Sequence, residues 1–545
     1  MLSLGVVLST ACGPEDVDAP PLARGGSTSS AAGAGGGAAG GSGGAAGAEV
    51  PAVEFAAVSV DVAATRAEVG PLAYGMHASV YDNALHDPAL PELLDEAGIA
   101  LLRWPGGGYS DNYHWSTHSM TAWSNGDRGY LAPRSDFGGF VELLERTGRA
   151  AMITVNYGSN LDGTGPGEPE EAAAWVAYAN GDPESTQQIG VDGSGNDWQT
   201  VGYWAALRAS APLGVDDGKN FLRIERPEPL GIHYWEIGNE VFGNGFHGGG
   251  DGFELDLHVP YDGTPREGHP ELSGTTYGAG VLEYIAAMKA VDPEIAIGAV
   301  RNTPPADYGW GPTWNAEVLA QCGREIDFAI VHWYPGRNPA SLLRAPTRRV
   351  AEMAAELRRS IAEHGGDNAP NVELAMTELG PHSDVGEAPQ AVGLFAADAY
   401  AALLAQGFVN IDWLELHNGS FLSERTQARG SAFHGIVLAR SLAAPGDSLV
   451  SAVSDQPLIA AHAARHADGS VAVLVINTQP TTATRVSITI AGADLASSGV
   501  RFDYAPEGAA SGSVVGPTPI DGVGARFELE LGAYTATSVV IPASN

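Results

Sequence analysis

Two apolar runs in this chain end on a carboxyl group. "HYWEIGNEV" (233–241) passes through aromatic and aliphatic residues to Asn239-Glu240, and "VELAMTELG" (372–380) reaches Glu378 in the same way. Only 17% of the residues are charged, so a glutamate closing a buried strand calls for a reason. Two carboxyl groups facing one cleft can share acid–base work. One gives a proton to a departing oxygen, and the other attacks the carbon left behind or activates a water for the attack. That division of labour opens an acetal, the glycosidic bond included.

The elements around them must bring the two together. β-type runs fall at 72–80, 100–105, 150–157, 231–240, 295–300, 326–335, 372–379 and 410–418, and helical periodicity falls between them at 135–148, 168–181, 275–293, 344–365 and 388–407. Ser135, followed by an acidic residue, is expected to start its helix. Eight nearly continuous apolar strands alternating with helices predict an α/β fold, a closed (β/α)8 TIM barrel over 71–443. An open doubly wound sheet would carry a Gly-rich phosphate loop after its first strand, which here runs into "HASVYDN". Glu240 closes the fourth strand and Glu378 the seventh. In a parallel barrel both ends open on the face that holds active sites.

After residue 443 the pattern changes to alternating strands with turn residues, Asp468-Gly469 among them, and predicts an antiparallel β-sandwich over 444–545. The run at 52–64, within a 50–70 segment, is expected to add a strand to it. The last Trp is Trp413, so this second domain has no obvious aromatic platform for sugars.

The N-terminal segment reads as an address. "MLSLGVVLSTAC" (1–12) is a short apolar run with small residues before Cys12, the pattern of a bacterial lipoprotein signal whose cysteine is lipidated. Residues 13–49 follow as a linker in which 25–48 are only Gly, Ala, Ser and Thr, a composition without side chains for a core. Anchor, tether and large domain describe a protein outside the cytoplasm, lipid-anchored at a bacterial cell surface or secreted, touching the membrane only through that anchor. The net charge of −37 repels nucleic acid and acidic polymers and suits neutral substrates. Fifteen His without metal-ligand spacing, and a "DGSGNDW" loop (192–198) lacking a closing Glu, imply no metal and no cofactor.

Further candidates flank the two glutamates. Arg103 ends the second strand, where it could keep a nucleophile ionised. His332 and Tyr334 end the sixth strand beside Glu378. Trp413 on the eighth could stack on a sugar face, and Asn112 and Asn156 could contact sugar hydroxyls. Glu236 shares strand parity with Glu240 and is expected to pair with an internal base.

The stretches "LLRWPGGGYSDNYHW" (101–115), "FVELLERTGRAAMITVNYGS" (140–159), "EEAAAWVAYANG" (170–181), "YWAALRA" (203–209) and "YWEIGNE" (234–240) together resemble the family 51 glycoside hydrolases. These are α-L-arabinofuranosidases with some endoglucanases, in a clan of barrel glycosidases. The resemblance is close over the first half of the barrel and loose over the second. It implies that Glu240 is the acid/base, that Asn239 holds the sugar 2-hydroxyl, and that Glu378 is the nucleophile of a retaining mechanism. The chain departs from the family at Ser79, about where a sugar-binding Glu stands on the first strand, at Gly108 in place of Asn or Cys, and at Leu379 in place of Trp. The function implied is a retaining hydrolase of plant cell-wall polysaccharide, foremost an α-L-arabinofuranosidase. The alternatives are an endo-β-1,4-glucanase or xylanase of the same clan, and a non-catalytic glycan-binding lipoprotein. A relic of the last kind would be expected to lose one of the two carboxyl groups, and this chain keeps both.

Overall fold

The computed structural model describes residues 52–544 apart from 124–125, 244–253, 261–268, 305–312, 387, 418 and 506–511. The signal, Cys12 and the linker lie outside the described residues.

Eight short strands close into the expected barrel: β1 (Tyr74–His77), β2 (Leu101–Trp104), β3 (Ala150–Val155), β4 (Tyr234–Ile237), β5 (Ala296–Val300), β6 (Phe328–Trp333), β7 (Glu373–Leu379) and β8 (Asn410–Trp413). Every neighbouring pair is parallel, and β8 joins β1 to close the ring. These strands read as unbroken apolar runs because helices cover their outer faces while side chains fill the interior.

The helix ends show where local signals hold and where they mislead. The helix Phe137–Thr147 starts one residue later than expected: Asp136, not Ser135, is the cap, accepting from the Gly139 amide at 2.9 Å. Ser135 instead donates its hydroxyl to the Ala132 carbonyl. At the other end Gly148 adopts the left-handed conformation that stops a helix. The helix expected from 344 runs over Pro339–His364, opened by a capping box between Asn338 and Ser341. Pro346 lies inside this helix, although proline is disfavoured in a helix interior.

Beyond the barrel the strands form one continuous nine-stranded sheet that curls over its own core, the expected sandwich built from a single sheet. Strand Phe55–Glu68 lies within it, antiparallel to Ser448–Ser454 and parallel to Thr484–Ala491. The strand Val471–Asn477 shows how the sheet docks. Val471, Val473 and Val475 face the curled core, whereas Ala472, Leu474 and Ile476 pack into the barrel's core cluster. Both faces of this strand are buried, which explains its lack of polar alternation. The Tyr504 hydroxyl reaches the carbonyls of Pro389 and Gln390 at the start of a barrel helix, at 3.2 and 3.1 Å. Leu474→Ala, a truncation at this fully buried seam, should destabilise the protein by about 2–5 kcal/mol, read as a lower denaturant midpoint.

Candidate active site

Glu240 stands just past the end of β4. Gly238 turns the chain there at φ 70°, and a Cβ on it would fall 2.8 Å from Val241 Cγ2 and 2.9 Å from Tyr157 Cβ. Asp111 fixes the turn, one carboxyl oxygen accepting from the Asn239 amide (2.9 Å) and the other from the Tyr157 amide (3.0 Å). Glu240 itself holds φ at 20°, rare for a residue with a side chain.

Glu378 arrives from β7 by a local irregularity. The register with β6 slips between Met376 and Glu378, so that Thr377 is the extra residue. A bulge of this kind re-aims side chains. The Thr377 hydroxyl lies 3.1 Å from His332 Nε2, and Glu378 Oε2 lies 3.5 Å from His332 Nδ1, so consecutive residues address one imidazole.

His332 is the meeting point. Its Nδ1 is 2.7 Å from Glu240 Oε1 as well, and one oxygen from each glutamate and this nitrogen all lie within 4.8 Å of one another. Arg103 holds the floor: Nε donates to Glu236 Oε2 at 2.5 Å, Nη1 to Glu378 Oε1 at 2.9 Å and Nη2 to Asn239 Oδ1 at 2.9 Å. The Tyr334 hydroxyl donates to Glu378 Oε2. Arg103 is thus both the internal ion pair for Glu236 and the cation beside Glu378.

Electrostatics separate the two glutamates. Burial raises the Glu240 pKa, and the His332 contacts only partly offset this. Burial would raise Glu378 too, but the charges of His332 and Arg103 and the Tyr334 hydrogen bond outweigh it and hold the carboxylate well below its usual range. For His332, burial pulls downward and the two carboxylates pull harder upward, so it favours the cation. His77, buried and beside Arg103, is lowered to about 3 and stays neutral.

Three expected sugar contacts fall elsewhere. Trp413 is fully buried on the outer face of β8, against Phe395 of a barrel helix, with Nε1 donating to the Gly419 carbonyl at 2.7 Å. Strand alternation decides this: the preceding Asp412 points inward over Gly75, so Trp413 points out. Asn112 is also fully buried, donating to the Thr121 carbonyl at 3.0 Å. Asn156 donates to the Tyr113 carbonyl and accepts from the Ser159 amide at 2.9 Å. Both asparagines satisfy loop backbone, as buried amides do.

The structure adds groups that no local pattern marked. Glu254, on the insertion after β4, accepts from Asn239 Nδ2 at 2.8 Å, so Arg103 and Glu254 together fix the Asn239 amide. A Cβ on Gly108 would come within 3.0 Å of the Glu254 carboxylate, which occupies the room a larger residue at 108 would need. Burial, first, and then the charges of Asp111 and Glu240 push Glu254 well above its ordinary pKa. Leu379 is buried within β7. In the 192–198 loop the Asp192 carboxylate is satisfied by Asn196 and Trp198. Among the described residues the one triad spaced to hold a divalent ion is Glu240, His332 and Glu378 itself.

No family model matches the chain. A "Probable alpha-L-arabinofuranosidase C" of Aspergillus fumigatus is 26% identical over 312 residues, covering 53% of this chain and 46% of the fungal protein. The chain thus spans about half the length of the curated relatives it matches. The family 51 α-L-arabinofuranosidase of Thermotoga petrophila superposes with a TM-score of 0.64 at 18% identity, over 89% of this chain and 99% of that one. A family 44 xyloglucanase of Paenibacillus polymyxa gives a TM-score of 0.59 at 15% identity, over 90% of this chain and 100% of that one. In sequence the chain is similar to α-L-arabinofuranosidases, and it shares its fold with a family 51 α-L-arabinofuranosidase and a family 44 xyloglucanase.

Proposed function

We propose that this protein is a retaining glycoside hydrolase that releases α-L-arabinofuranosyl units, with Glu378 as nucleophile and Glu240 as acid/base. The observation that carries this reading is the pair of carboxyl groups joined by His332, with oxygens within 4.8 Å of each other and opposite pKa shifts. Retaining enzymes hold their carboxyl groups about 5–5.5 Å apart, whereas room for an intervening water needs roughly 6.5–9.5 Å. In the first step Glu378 bonds to the anomeric carbon, the glycosidic C–O bond breaks, and the leaving oxygen takes the proton of Glu240. In the second, Glu240 takes a proton from water, whose oxygen displaces Glu378 from the same carbon. His332, donating to Glu240 Oε1, leaves the other oxygen to carry the proton. Asn239, held by Arg103 and Glu254, presents its amide to a sugar hydroxyl. Similarity in sequence to curated arabinofuranosidases favours this substrate over a β-glucan.

The test is hydrolysis of a panel of aryl glycosides and polymers, with arabinofuranosides expected to be cleaved fastest; no turnover on any of them would refute the reading. The pH profile adds a second check. Glu240 must be protonated, so kcat/KM falls as pH rises through its raised pKa. Glu378 must be ionised, so the acid limb lies below the ordinary glutamate value of about 4.3. Glu240→Gln should remove the alkaline limb on substrates with good leaving groups.

We further propose that Cys12 carries a lipid that tethers the enzyme outside the cytoplasm, on the strength of the apolar run before it and the tether after it. Cys12→Ser should move the protein from the membrane fraction to the soluble one with hydrolysis unchanged. Full-length protein that is soluble in the cytoplasm before any substitution would exclude the anchor.

A further inference from the structure

Three arginines are fully buried among the described residues, and two of them have evident partners. Arg103 shares the carboxylates of Glu236 and Glu378. Arg208 donates to the carbonyls of Tyr178, Ala179, Gly181, Arg226 and Pro227. Arg301 has neither kind of partner. It follows β5 and sends its side chain into the helix layer outside the barrel. There Nε donates to Asn315 Oδ1 at 3.1 Å, on the helix Trp314–Cys322, and Nη2 to Ser360 Oγ at 3.3 Å, on the helix Pro339–His364. Nη1 meets no acceptor at all.

No opposite charge compensates this guanidinium. The titratable groups that face it are Cys322 and Tyr277, and burial keeps both neutral, the thiol pushed up to about 12 and the phenol well above its ordinary value. Burial lowers Arg301 itself to about 10, which still leaves a cation at neutral pH. A lone charge in a protein interior carries a desolvation cost that only a counter-charge or a full set of acceptors offsets. The surroundings offer donors rather than acceptors. The Tyr277 oxygen already accepts from the amide of Val300, the residue before Arg301, at 2.8 Å, and gives its proton to the Ile237 carbonyl at 2.7 Å. Trp314, stacked on Tyr277 with 5.6 Å between ring centroids, has its Nε1 buried without an acceptor. The Ser360 hydroxyl, engaged through its oxygen by Nη2, has a hydrogen left to give.

We propose that Arg301 holds a small monovalent anion, of the size and charge of chloride, in the helix layer behind β5, with Nη1 as its principal donor and the Ser360 hydroxyl as a second. One positive charge calls for one negative charge, and a side chain only 1% exposed is out of reach of a bulky organic anion. The anion ties the end of β5 to two helices by neutralising the one buried cation that links them. This site is separate from the cleft that holds Glu240 and Glu378, and its test reads unfolding, so its failure leaves the proposed reaction untouched.

Thermal unfolding of the full-length protein is followed at pH 7 in sodium chloride and in sodium gluconate of equal ionic strength, for wild type and for Arg301→Gln. An ion that binds the folded state alone raises its stability by mass action, so wild type should melt roughly 2–4 °C higher in chloride, with a gain that saturates as chloride is raised. Arg301→Gln keeps a donor and removes the charge, and its chloride gain should disappear. Equal melting of wild type in the two salts would overturn the proposal, and so would the same chloride gain in both proteins. If Arg301→Gln does not fold, a wild-type crystal grown in sodium bromide decides the question. An anomalous bromine peak in contact with Nη1 is expected, and its absence would overturn the proposal.

Discussion

Replacing Glu378 with alanine should abolish turnover on every glycoside, lowering kcat by about four to six orders of magnitude, the loss seen when a nucleophile is removed from a preorganised site. The geometry makes the effect independent of the leaving group. Without the carboxylate no glycosyl ester forms, so an activated aryl substrate is no better than a polymer. The substitution also leaves Arg103 with Glu236 as its single carboxylate partner among those shown here, and it removes a charge that holds His332 in its cationic form. The alanine variant should therefore be purified and its unfolding curve compared with wild type before its inactivity is assigned to chemistry. A folded Glu378→Ala protein that still cleaves arabinofuranosides within tenfold of wild type would remove Glu378 from the mechanism.

Glu240→Ala should behave differently, because its proton matters only where the leaving group needs one. On natural polymer kcat/KM should fall by about two to four orders of magnitude, the usual worth of a general acid. On an aryl glycoside with a good leaving group, the first step should survive and the second should stall, giving a burst of phenol followed by slow turnover. Added azide needs no general base and should restore the rate, yielding a glycosyl azide of retained configuration. Unchanged activity on polymer, or an azide product of inverted configuration, would show that the two roles are misassigned.

Much of this site was legible from local sequence, and the reason is topological. Strands that alternate with helices and lack polar alternation must be covered on both faces, and eight of them close a barrel. Once β4 and β7 are counted, the residues at their C-terminal ends must share the mouth, wherever they stand along the chain. Glu240, Glu378, Arg103, His332, Tyr334 and Asn239 all converge for that reason. Trp413, Asn112 and Asn156 failed as sugar contacts because residue type shows that a group can bind, not which way it faces. One position of strand parity turned Trp413 toward the helix layer, and unsatisfied loop carbonyls claimed both asparagines.

The sequence by itself determined the barrel, the appended sheet and the convergence of Glu240 with Glu378, because periodicity and strand order are written in consecutive residues. Only the tertiary structure decided how those groups work. The slip at Thr377 that aims Glu378, the imidazole set between the two carboxyl groups, and the opposite pKa shifts that follow all depend on neighbours from other strands. The same holds for Glu254 against Gly108, where a carboxyl from a distant loop occupies space beside a small residue. Charge and burial act through distance in space, and a chain read residue by residue contains distances only along itself.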